Sequence, residues 1–234
     1  MSAGGIGVQT ERTLHQTLKR YVEPDTRYHE VPCGNFIADV LRDGRIFEIQ
    51  TKDLYRLAHK LEYYLAEGYQ VTMVLPLMCR RFLRWVDPTT GEVSKPRRIG
   101  RSASLQDVFE ELYRIRHLFG REGLSLRVLA LEVEELKLQD GYGPQKKKGA
   151  SRMDRRIREV LCEFTIEKTA QLRAFLPQLD AETFTAKDYA RAAKCSDKVA
   201  ATALRMLTMY GITERVGKQK NAYLYHVVET AEIV

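Results

Sequence analysis

The stretch from Asn35 to Gln50 constrains this chain more than any other, because it reads as a tight β-hairpin with a countable register. Asn35 to Arg42 is strand-like, Asp43-Gly44 is a strong two-residue turn signal, and Arg45 to Gln50 reads as the returning strand. Counting outward from the turn pairs Arg42 with Arg45, Leu41 with Ile46, Val40 with Phe47, and Asp39 with Glu48. Directly opposed side chains share a face, with Cβ atoms roughly 5 Å apart. Two carboxylates at that separation repel by about 1 kcal/mol in water and about 3 kcal/mol at an effective dielectric constant near 20. Folding alone gives no reason to accept that cost, whereas a divalent cation turns the repulsion into attraction.

The other face supports this register. Ala38, Val40, Phe47 and Ile49 project together as an apolar surface, and a slip of one residue would bury the acids. The alternative is a surface hairpin on which two acids happen to meet.

An acid late in one strand, a short hairpin, then Glu-x-Lys or Glu-x-Gln on the next strand, preceded by a Glu-bearing helix and followed by a helix, resembles the core of the PD-(D/E)XK nuclease superfamily. Here the residues are Asp39 and Glu48-Ile49-Gln50, with Glu11 on the opening helix. The resemblance covers roughly residues 8 to 78, and residues out to about 138 complete the same domain. It implies an α/β fold with a restriction-endonuclease-like mixed sheet flanked by helices, and a metal-dependent DNA endonuclease activity.

By role, Asp39, Glu48 and the Ile49 carbonyl would hold Mg²⁺ or Mn²⁺ through hard oxygen ligands. Glu11 would assist through water or a second ion. Gln50 stands where such nucleases commonly carry lysine and supplies no charge, while Lys52, two residues further on the same face, would return it. His29 is a weaker candidate, because a histidine in a strand is more often structural.

The chain holds 234 residues, room for one large domain or two modest ones. Its four cysteines, Cys33, Cys79, Cys162 and Cys195, show no CxxC spacing, which argues against a zinc ribbon or disulfide framework and for reduced thiols in the cytoplasm. No apolar run approaches the roughly 20 residues that cross a bilayer, so no membrane partner is expected.

The formal charge of +7 is unevenly spread: residues 1 to 145 carry 21 Lys and Arg against 20 Asp and Glu, and the remainder carry 17 against 11. A polyanion-binding module at the C-terminal end is the expectation. Residues 141 to 151, with Gly141, Gly143, Pro144 and Lys146 to Lys148, read as a basic linker between a domain over 1 to 140 and another over 152 to 234. Arg152, Arg155, Arg156 and Arg158 extend the basic character into what is read as a helix.

Periodicity in the first part gives a helix from Glu11 to Val22, a strand from Tyr28 to Pro32, the hairpin, a helix from Leu54 to Glu67 and a buried strand from Tyr69 to Leu77. A second hairpin turns at Asp87 to Gly91, and a helix over Leu105 to Leu118 precedes a strand over Ser125 to Leu136. In the second part Thr185 and Ser196 cap two short helices, Gly211 ends the second, and strands Ile212 to Val216 and Tyr223 to Val228 follow. Helix, turn, helix and basic hairpin resemble a winged helix-turn-helix domain, over about residues 150 to 230.

That resemblance implies a second helix in the major groove, exposing Lys194, Asp197, Lys198, Thr202 and Arg205, with Lys218 and Lys220 meeting phosphate. Arg97, Arg98 and Arg101, and the run Lys146, Lys147 and Lys148, are further nucleic-acid candidates. Protein docking and solvated loops are the bland alternatives. Tyr55, Tyr63 and Tyr64 suggest a stacking platform, but aromatics at helical spacing are more often core. The expected partner is double-stranded DNA, with RNA or a catalytically silent assembly role as rivals, and a homodimer as one way to cut both strands.

Overall fold

The computed structural model describes residues 6–51, 53–100, 103–142 and 148–229. The chain is α/β, with a large mixed sheet flanked by helices. Helix α1 (Ile6–Val22) opens it and buries Leu14 and Leu18, one turn apart. Strands β1 (His29–Cys33), β2 (Phe36–Arg42) and β3 (Arg45–Ile49) follow as antiparallel neighbours. Helix α2 (Ala58–Ala66), preceded by a 3-10 turn over Leu54–Leu57, leads to β4 (Gln70–Val86). Then come β5 (Arg97–Arg98), α3 (Val108–Arg114), β6 (Leu124–Tyr142) and β7 (Lys148–Ile166). The sheet order is β1-β2-β3-β4-β6-β7, with β5 on β4. Pro32 is tolerated in β1 because that strand lies at the end of the sheet, where a missing donor breaks no ladder.

The hairpin closes as its turn residues require. Asp43 and Gly44 both have left-handed φ, 50° and 74°, the two positive values of a type I′ turn whose twist matches the flanking strands. Val40 pairs with Phe47, Leu41 with Ile46 and Arg42 with Arg45, the register counted from the sequence. Helix α2 ends in a Schellman motif at Gly68, φ 83°, where the Tyr69 N–H reaches the Tyr64 carbonyl.

The stretch expected to link two domains and open a helix is instead strand. β6 runs through Tyr142 and β7 begins at Lys148, while residues 143–147 lie outside the described residues. Glycine, proline and lysine interrupt periodicity equally well between two domains and between two strands. What decides for strand is cross-strand partners that no local window contains: Arg155 donates to Glu135 and Arg158 pairs with Glu132, both on β6. Likewise, the strand expected from Tyr69 to Leu77 and the one leading into the second hairpin at Asp87 are one strand, β4.

The described parts of the chain form two compact units: Met1–Ile49, Met78–Ala103 and Leu129–Glu163 in the first, and Gln50–Leu77, Ser104–Val128 and Phe164–Val234 in the second. In the second, β8 (Thr183–Phe184), β10 (Ala222–Val227) and β9 (Thr213–Gln219) form a small antiparallel sheet in that order. Helices α4 (Ala186–Ala192) and α5 (Asp197–Met209) lie between β8 and β9 in the chain, capped by Thr185 and Ser196 as expected. Tyr189, Val199, Ala203, Leu204 and Leu207 fill the core between them. Among the described residues no helix is long and apolar enough to cross a membrane.

A Cβ at Gly44 would meet nothing within 4 Å, so a Gly44→Ala change costs only backbone strain. Urea titration is expected to show a loss of about 1 kcal/mol; an unchanged midpoint would mean that the turn adopts another geometry.

Candidate active site

The register places Asp39 level with Glu48, and their carboxylates interlock with the opposite backbone. The Ile49 N–H donates to Asp39 Oδ2 at 2.8 Å, and the Asp39 N–H donates to Glu48 Oε1 at 3.3 Å. These bonds offset part of the repulsion between the two acids. Glu48 is fully buried, and Asp39 retains 18% side-chain exposure. Across the other edge of β2, His29 pairs with Val40 and Val31 with Ala38, which leaves Glu30 level with Asp39. Three carboxylates therefore stand at one level on three adjacent strands. Glu30 has a left-handed φ of 52°, unusual for a non-glycine residue in a strand.

Helix α1 sets a histidine and a lysine against this row, and neither was singled out from the sequence. His15 Nε2 lies 3.2 Å from Asp39 Oδ2 and 3.1 Å from the Ile49 carbonyl oxygen. Both neighbours accept, so Nε2 carries the proton. Burial is the largest influence on the imidazole and lowers its pKa. The hydrogen bond and charge of Asp39, with help from the Ile49 carbonyl, outweigh that, and the pKa is raised above the ordinary 6.5. One turn on, Lys19 is buried, at 4% exposure, and its Nζ donates to Glu30 Oε1 at 2.7 Å. That bond and the Lys19 charge lower the Glu30 pKa against the opposing influence of Asp39. The signal in the sequence was the i, i+4 spacing of Glu11, His15 and Lys19, one face of α1.

Among the described residues no three His, Cys, Asp or Glu side chains form a ready metal cage. The donor set nevertheless suits a hard cation: Asp39 Oδ2 and the Ile49 carbonyl already converge on one electropositive atom, His15 Nε2, and Glu48 adds a second carboxylate.

Other expected residues fall as follows. Glu11 lies on α1 one turn before His15, and its side chain is outside the described residues, as is all of Lys52. The Gln50 N–H donates to the Val74 carbonyl at 3.0 Å. His29 Nε2 donates to the Glu23 carbonyl at 2.7 Å, a structural role. Tyr64 is fully buried, edge-on to Tyr63 and Tyr69, so the three tyrosines of residues 55 to 64 form no exposed platform.

Of the nucleic-acid candidates, Arg97 and Arg98 are exposed on β5, opposite Leu83 and Phe82. Arg101, Lys146 and Lys147 lie outside the described residues, and only the backbone of Lys148 is described. Lys194 sits in the turn after α4 with φ 52°, and Arg205 is exposed on α5. Helix α5 packs against α3 as well as α4, and Lys198 is bound to Glu110 of α3 at 2.7 Å. Its exposed stripe is therefore narrow, with Asp197, Lys198, Arg205 and Met209 outermost. The Thr202 hydroxyl turns back to the Lys198 carbonyl. On the hairpin β9–β10, Lys218 lies 5.0 Å from the Tyr223 ring, and Lys220 occupies the turn at φ 54°. Arg215, which the sequence reading omitted, stacks 4.3 Å from the same exposed ring.

The fold and this site define an α/β protein with a mixed sheet whose first hairpins carry a row of acids faced by a helix carrying histidine and lysine. Residues 12–167 match a family described as a domain of unknown function (DUF8091), and the chain belongs to that family. It is similar to an uncharacterized protein of Treponema pallidum (strain Nichols), 32% identical over 156 residues, 66% of this chain and 61% of the relative. The chain thus spans about three fifths of that relative's length. No solved structure matches. The family match contains the whole acidic row and ends before α4.

Removing the Glu30 carboxylate leaves a buried ammonium without this partner. Glu30→Ala is expected to cost about 1–3 kcal/mol in urea denaturation, and Lys19→Met, which keeps the apolar stem, less. Equal losses would argue that the pair contributes only packing.

For His15, a folded pKa above the unfolded 6.5 adds stability that is fully present below pH 6.5 and is lost as the pH rises through the folded value. In Asp39→Asn, burial is left dominant, and the imidazole titration followed by proton NMR is expected to move below 6.5. An unmoved titration would place the source of the raised pKa elsewhere.

Proposed function

We propose that this protein is a metal-dependent DNA endonuclease of the PD-(D/E)XK type, hydrolysing phosphodiester bonds at the Asp39–Glu48 hairpin. The observation that carries the reading is the convergence of Asp39 Oδ2 and the Ile49 carbonyl on a single point beside Glu48. A Mg²⁺ or Mn²⁺ ion held by Asp39, Glu48 and the Ile49 carbonyl would supply Lewis acidity and lower the pKa of bound water. The chain's own residues hold that arrangement: the Ile49 N–H fixes the Asp39 carboxylate, the Asp39 N–H fixes Glu48, and His15 protonated at Nε2 holds Asp39 and the carbonyl together without metal. Gln50 brings no charge; the buried Lys19 is the nearest described cation on α1 to His15, and its charge reaches that imidazole. Helices α4 and α5 with the β9–β10 hairpin serve, in this reading, as a winged-helix-like module that holds the duplex through Arg205, Lys218, Lys220 and Arg215.

A second reading has its own observation. His15 occupies the convergence point and Gln50 replaces a cation, so the same core would also suit a catalytically inactive DNA-binding or assembly protein.

Purified protein is incubated with supercoiled plasmid and a branched duplex in Mg²⁺ or Mn²⁺, with chelator as control. The expected result is metal-dependent cleavage that falls more than about 100-fold in Asp39→Ala and in Glu48→Ala. Binding without cleavage under every condition selects the second reading.

A further inference from the structure

We propose that one face of β4, β6 and β7, carrying Arg80, Arg84, Arg156 and Arg158, together with Arg98 of β5, is a docking surface for the sugar–phosphate backbone of duplex DNA. Alternate residues of a strand share a face, so Arg80 and Arg84, Glu132 and Glu134, and Asp154, Arg156 and Arg158 form three matched rows. The ion pairs confirm the grouping: Arg80 and Arg158 flank Glu132 at 3.7 and 3.2 Å, Arg84 lies 4.0 Å from Glu134, and Arg156 binds Asp154 at 2.6 Å. Arg98 stands opposite Phe82 and so joins the same face.

The two signs are layered. Side-chain exposure is 53% for Arg80, 33% for Arg84, 64% for Arg156 and 40% for Arg158, but only 12% for Glu132, 17% for Glu134 and 15% for Asp154. Carboxylates lie beneath and guanidiniums on top, five arginines over three acids. Each guanidinium has five donors in a rigid fork; Arg156 gives its Nε–H to Asp154, Arg84 gives its Nε–H to the Ser94 carbonyl, and Arg158 pairs with Glu132. For Arg80, Arg84, Arg156 and Arg158 these uses fall short of five donors, and the side chains reach solvent. Arg80 and Arg84 are about 13 Å apart along β4, and β4 and β7 are about 10 Å apart across the sheet, so the patch spans several phosphates.

A repeating anion fits this array better than a lipid surface does. Interfacial membrane sites pair cations with exposed aromatic or aliphatic side chains, and here Arg158 covers the Phe82 ring at 4.6 Å. The choice of DNA as the polyanion rests on the endonuclease reading, but binding to this face needs no cleavage.

The test uses the full chain carrying Asp39→Asn, so that duplex survives, and follows its binding by fluorescence anisotropy between about 50 and 200 mM salt. Adding Arg80→Gln and Arg158→Gln is expected to lower the slope of log affinity against log salt by about 2, since each lost phosphate contact removes about 0.9. Arg27→Gln with Arg121→Gln, the same charge loss at exposed positions elsewhere, is expected to leave the slope within a few tenths. Because the first pair strands Glu132, a triple variant adding Glu132→Gln keeps the buried layer neutral, and it is expected to lose the same slope.

An unchanged slope in both Arg80/Arg158 variants, an equal loss in the Arg27/Arg121 control, absence of duplex binding, or an arginine-dependent binding to phosphatidylserine vesicles without duplex binding would each overturn the proposal. If the wild type cleaves plasmid and the slope is unmoved, this surface alone is wrong. If the slope falls and the wild type never cleaves, the surface stands and the endonuclease reading fails.

Discussion

The register of the β2–β3 hairpin is the constraint on which the rest of the site depends. A type I′ turn at Asp43-Gly44 leaves one way to pair the strands, and that pairing sets Asp39 beside Glu48 with each carboxylate accepting an opposite backbone N–H. A one-residue slip would exchange the faces, exposing Ala38 and Val40, both fully buried, and breaking the backbone bonds that hold Asp39 and the buried Glu48. The apolar face therefore enforces the polar one.

Charge is organised by the same economy in two places. Around Asp39, His15 from α1 bonds Asp39 and Lys19 bonds Glu30, while backbone N–H groups bond Asp39 and Glu48. On β6, Glu135 is buried to 1% and its Oε1 accepts from both Arg81 and Arg155. A buried acid paired on one side only would cost several kcal/mol; flanking it with two guanidiniums makes the middle strand tolerable and locks its neighbours into register.

Much of this was legible locally. The caps at Thr185 and Ser196, the buried run of β4 and the hairpin turn all follow from interactions within a few residues, and they appear where short-range rules put them. β7 does not. Its arginines resemble a basic helix because helix and strand expose charged residues equally well, and the acids that fix it as a strand lie more than 15 residues away on β6. His15 and Lys19 were passed over for the same reason: on a helix they look like ordinary polar residues until β1, β2 and β3 fold against them. Helix α5, expected to expose Asp197, Lys198, Thr202 and Arg205, has Lys198 bound to Glu110 of α3, an element whose contact with it has no local trace.

The amino-acid sequence by itself determined the hairpin, its register and hence the meeting of Asp39 with Glu48, because turn geometry and a two-residue side-chain period are properties of neighbouring residues. Only the tertiary structure decided which basic side chains face that pair, that Glu30 joins the acids, and that arginines of β4 and β7 pair with less exposed carboxylates. Those arrangements come from elements distant in the chain, and their energies are set by burial and distance, which exist only once the chain has packed.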